Sequence, residues 1–79
     1  MSASREIVSV LKEHARANVA LHMANIEIYL SNPAGIGEHS DILEAVQGEL
    51  DKAAVHKDTL DLLEDNFEEY DTSDLWVDE

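Results

Sequence analysis

One short segment, Ser31-Asn-Pro-Ala-Gly-Ile-Gly-Glu-His39, divides this chain into two long runs. Those runs contain no proline and, between them, a single glycine, Gly48. Pro33 stops a helix that arrives from the N-terminal side, because the residue ahead of a proline avoids the α region. Gly35 and Gly37 give the connection access to positive φ. The spacing therefore predicts a helix over about 4–30 with Ser4 as N-cap, and a connection over 31–39. A second helix follows over about 40–68, with Ser40 as N-cap and Asp41 at the positive end of its dipole. Residues 71–79 are left as an acidic tail. The fold class expected is all-α: an antiparallel two-helix hairpin over 1–70, since a short connection makes consecutive helices antiparallel neighbours.

Both runs carry a seam at 3-4 spacing. On the first it reads Val8, Leu11, Ala15, Asn18, His22, Asn25, Tyr29; on the second, Ile42, Val46, Glu49, Ala53, His56, Leu60, Leu63, Phe67, Tyr70. Folding the hairpin with Tyr29 near Ile42 sets Asn25 against Val46, His22 against Glu49, and Ala15 against His56. The first run has more apolar residues than one seam uses. Ile7, Val10, Ala17, Leu21, Ala24 and Ile28 make a second stripe, and Val19, Met23, Ile26 and Leu30 a third. A helix apolar on most sides is buried on most sides. One hairpin partner cannot cover all of that, so self-association into a helical bundle is expected.

Size points the same way. A chain of 79 residues has one core at most, and cores this small rarely supply more than ~3–5 kcal/mol without a staple. The chain has no cysteine, which excludes disulfides and every Cys/His zinc spacing. Oligomerisation is the cheapest staple that remains.

Charge sorts the partners. Five Lys and Arg stand against 18 Asp and Glu, a formal net charge of −13. From Glu64 onward the chain carries eight acids and no base. Nucleic-acid binding needs a basic patch that displaces counterions, so direct nucleic-acid contact is excluded, and anionic membranes are disfavoured for the same reason. The expected partners are the chain itself and a protein with a basic-rimmed apolar groove. Residues 1–13 lack the apolar core of a signal peptide. Val19–Leu30 is broken by His22, Asn25 and Glu27, so no membrane span is expected. A cytoplasmic protein is the expectation.

The candidate residues for chemistry lie on the seams. Asn18, His22, Asn25, Glu49 and His56 read as a polar layer that fixes register and oligomer state, as a buried Asn does in coiled coils. The sharper alternative is a ferritin-like metal site using His22, Glu49 and His56. Such sites need Glu-x-x-His on one helix face, and the chain offers only Glu13-His14 and Glu38-His39, whose members diverge. No metal and no other cofactor is therefore expected. The Gly35-Ile-Gly37 turn lacks a following lysine, and Glu38 and Asp41 would repel a phosphate. With no cysteine and no serine in a recognisable triad, no enzyme is expected. In the tail, Leu75-Trp76-Val77 is ringed by acids. Together with Phe67 and Tyr70 it reads as a recognition element that docks an aromatic anchor in a groove.

The stretch Ala17-Asn-Val-Ala-Leu-His-Met-Ala-Asn-Ile-Glu-Ile-Tyr-Leu30, followed by Asn32-Pro-Ala-Gly-Ile-Gly-Glu-His39, resembles small uncharacterised helical-hairpin proteins of marine tailed bacteriophages. The resemblance covers roughly residues 5–65. It implies a phage-encoded accessory protein, in the host cytoplasm or the virion, and it brings no catalytic residue. The function expected is thus protein–protein interaction by an oligomeric hairpin. A metal-binding hairpin and an acidic nucleic-acid mimic are the alternatives.

Overall fold

The computed structural model describes residues 3–31 and 39–67. Two helices account for nearly all of them: α1, Ala3–Ser31, and α2, His39–Asn66. They pack along their lengths as a hairpin. Each begins a residue or so earlier than its N-cap serine would place it, a displacement within ordinary fraying at helix ends. Glu6 and Asp41 sit in the first turns, where the dipole favours a carboxylate. At the end of α2 the backbone N–H of Phe67 still donates to the Leu63 carbonyl at 2.9 Å. Tyr70 and the tail lie outside the described residues.

The seam that joins the helices is thin. Among the described residues the buried apolar side chains are Val8, Ala15, Ile26 and Ala53. Ala15, at 1% exposure, and Ala53 are small, which lets the helix backbones approach closely. Asn18, His22, Asn25 and Tyr29 of α1 are half-buried, as are Ile42, Val46, Glu49, His56, Leu60 and Leu63 of α2. Leu11 and Phe67 belong to the seam by spacing but are 46% and 41% exposed. At about 100° per residue Leu11 lies roughly 40–60° round α1 from Val8 and Ala15, on the edge of the contact. Beyond Val8 the burial extends to Ser9 and Lys12, on a flank the apolar period does not mark. Polar contacts outside the seam are local or peripheral. Gln47 reaches Asp51, Lys57 reaches Asp61, and Arg16 bridges the helices to Glu64 at 3.4 Å in the open. Exposed pairs of this kind contribute little.

The remaining apolar surface is turned outward. Ile7, Val10, Leu21 and Ile28 of α1 are each more than half exposed, as are Leu43, Val55 and Leu62 of α2. Gly48 lies inside α2, and a Cβ built there would meet nothing within 4 Å. It therefore serves no close approach within the hairpin. No described helix is long and apolar enough to cross a membrane.

Candidate functional site

Midway along the hairpin the seam changes character from apolar to polar. The 3-4 rows bring His22 and Asn25 of α1 to the same point as Glu49 of α2. One oxygen of Glu49, Oε1, stands 2.7 Å from His22 Nδ1 and accepts from Asn25 Nδ2 at 3.0 Å. The His22 and Glu49 side chains are each only 13% exposed. The hydrogen bond from His22 and then that from Asn25 hold the Glu49 carboxyl below its usual 4.5. Glu49 is consequently ionised near neutral pH and can only accept. His22 must then carry its proton on Nδ1, and its neutral tautomer is fixed.

One helical turn or two further along, a second group adjoins the first. The His22 and His56 rings stack with centroids 5.9 Å apart and planes 9° from parallel. His14 meets His56 edge-on at 6.4 Å. Asn18 turns back onto its own helix, donating to the His14 carbonyl at 2.9 Å and standing 3.2 Å from His14 Nε2. The polar layer thus runs Asn25, Glu49, His22, His56, His14, crossing between the helices at each step, and ends on Asn18 beside His14 on α1. His14 enters it although it lies off the α1 seam. Its place on the ridge His14, Asn18, His22, at i, i+4, i+8, is the signal in the sequence that points to it. The Asn25 amide reaches Glu49, one turn beyond Val46, for a charged acceptor.

The chemistry of this arrangement is that of a clasp. A carboxylate and an imidazole side by side can exchange a proton. The hydroxyls of Ser31 and Thr59 bond carbonyls of their own helices. Among the described residues no three metal-ligating side chains converge. His22 stands between Glu49 and His56 as a proton donor to the first and a stacked plane to the second. Of the tail anchor only Phe67 is described, and its side chain is exposed. Tyr70, Leu75, Trp76 and Val77 lie outside the described residues. Comparison with known proteins finds no matching family model, no similar curated protein and no similar solved structure.

Proposed function

We propose that this chain is a non-enzymatic association module: a hairpin whose polar layer fixes its own register and whose outer faces bind other protein. The observation that carries the reading is the imbalance of apolar surface. Four apolar residues are buried among those described, while twelve large apolar side chains are more than 40% exposed. Monomeric proteins rarely expose large apolar patches, and on α1 the exposed residues recur along one side at Ile7, Val10, Leu21 and Ile28. The polar layer supports the same reading, since a satisfied Glu–His–Asn cluster specifies one alignment of two helices more sharply than apolar contacts do.

The first ligand of this surface is a second copy of the chain. A further partner would be a protein with a basic-rimmed apolar groove, engaged by Phe67, Tyr70, Leu75, Trp76 and Val77 with the neighbouring acids steering the encounter. The resemblance to phage proteins supports an accessory role for such a module in the host cytoplasm or the virion. Sedimentation equilibrium at 1–100 µM tests the association. A dimer or larger species supports it, and a folded monomer throughout that range overturns it. Deleting residues 71–79 should leave the melting temperature unchanged while abolishing capture of the partner. A large drop in melting temperature would instead assign Trp76 to the core.

A further inference from the structure

The exposed stripe of α1 has a stricter period than an amphipathic helix requires. Ile7, Val10, His14, Ala17, Leu21, Ala24 and Ile28 follow one another at 3, 4, 3, 4, 3 and 4 residues, and all seven are exposed in the hairpin. That is the 3.5-residue repeat of a coiled-coil seam, held for three heptads on exposed positions, with His14 at the border of the row, where its ring also meets His56 of α2 edge-on. A shallow groove at its N-terminal end is lined by Glu6, Ile7, Val10 and Leu11. We propose that this stripe is a parallel α1–α1′ seam between two copies of the chain, with the two α2 helices on the outside. The proposal rests on the association reading above and names the face and direction of that association.

Charge chooses the occupant. The cations Arg5, Lys12 and Arg16 balance Glu6, Glu13 and Glu27, so α1 is neutral. On α2, Lys52 and Lys57 face eight acids. A second copy that met this chain through α2 would oppose two strongly acidic helices. Meeting through α1 buries the neutral, apolar helix and keeps the acidic ones apart. Charge also chooses the direction. Glu6, Glu13, Ala20 and Glu27 flank the stripe on one side, with Leu11, Asn18 and Asn25 on the other. In an antiparallel pair like flanks meet, and every register that overlaps most of the stripe sets one of these glutamates against another. In a parallel pair Glu6 meets Leu11 of the second copy and Glu13 meets its Asn18, so the repulsion disappears. Ala17 and Ala24 allow the backbones to close, and His14 is the single polar residue in the row, the kind that sets register.

The absence of native cysteine makes the test direct. Ala17→Cys, Ala24→Cys and, on the opposite groove of Val19, Met23, Leu50 and Ala54, Ala54→Cys are each oxidised mildly at a concentration where the protein is dimeric. Ala17 lies near the middle of the stripe and crosslinks both in a parallel pair and in an antiparallel pair that overlaps the whole stripe. Between those two arrangements Ala24 crosslinks only in the parallel one. Efficient dimer formation by the first two variants and little by the third is expected. Crosslinking by Ala54→Cys alone would overturn the seam while leaving association intact. Crosslinking by Ala17→Cys without Ala24→Cys would overturn the direction. Crosslinking by none, with a folded monomer in solution, would overturn both the seam and the association reading. Circular dichroism on each variant confirms that the hairpin is retained.

Discussion

A carboxylate that accepts two hydrogen bonds is harder to protonate than one in water. Glu49 is in that position, with His22 and Asn25 on the same oxygen. Its folded pKa is lowered from 4.5, so the sign of its contribution is determined. The stabilisation is fully present above pH 4.5 and is lost as the pH falls through the lowered value. Urea unfolding of the native protein and of Glu49→Gln, followed from pH 7 down to pH 2, reads this out. The variant should be less stable at pH 7, and the gap should close as the solution is acidified. A gap of constant size down to pH 2 would show that the ionised carboxylate is not what holds the layer. The same residues show why the polar pair is legible in the sequence. His22 and Glu49 fall on 3-4 rows whose phase is fixed by Ala15 and Ala53, and antiparallel pairing leaves them opposite each other. Which atom of Asn25 finds which acceptor is not legible there, since the reach of a side chain follows rotamers rather than spacing.

At the scale of the helices, α2 contains a removable weakness. Glycine in a helix interior is disfavoured relative to alanine by about 0.5–1 kcal/mol, chiefly through backbone entropy. At Gly48 a methyl group would meet nothing within 4 Å. Gly48→Ala should therefore stabilise the hairpin by about that amount, which in a domain of this size raises the melting temperature by roughly 2–8 °C. Destabilisation, or loss of association without loss of helix, would show that the glycine is the point where another chain comes close. The helices themselves are readable from Pro33, the two runs without proline and the apolar rows. The outer face of α1 is readable as a surplus of apolar residues, whereas the exposed Leu43, Leu50, Val55 and Leu62 of α2 form no stripe that the sequence marks. The burial of Ser9 and Lys12 is not readable either, because neither residue type nor period sets them apart from solvent-facing neighbours. Leu11 misleads in the opposite sense. A 3-4 row drifts around a straight α-helix, and near the end of the contact that drift is enough to carry a leucine to the edge.

For the whole molecule, apolar surface favours association and net charge opposes it. The chain carries a formal charge of −13, so two copies repel at every approach, while the contact proposed for them along α1 is neutral. Salt separates the two effects. Raising the ionic strength from 0.01 M to 0.15 M shortens the Debye length from about 30 Å to about 8 Å, which screens repulsion between the outer helices and tails but leaves apolar burial in place. The dissociation constant of the dimer should therefore fall as salt rises. Because ligation by a second copy stabilises the folded state by mass action, the melting temperature should rise with protein concentration, more steeply at the higher salt, where the dimer is tighter. Leu21→Asp puts a carboxylate in the middle of the stripe. Since Leu21 is 54% exposed in the hairpin, the substitution should cost little at concentrations where the chain is monomeric. It should abolish the concentration dependence, because an unpaired charge buried in the seam costs several kcal/mol. Sedimentation and thermal melts across the two salts, on both proteins, check all of this together. A dimer that weakens with salt would mean that opposite charges meet at the contact, and a Leu21→Asp variant that melts early even when dilute would mean that this face is already covered within one chain.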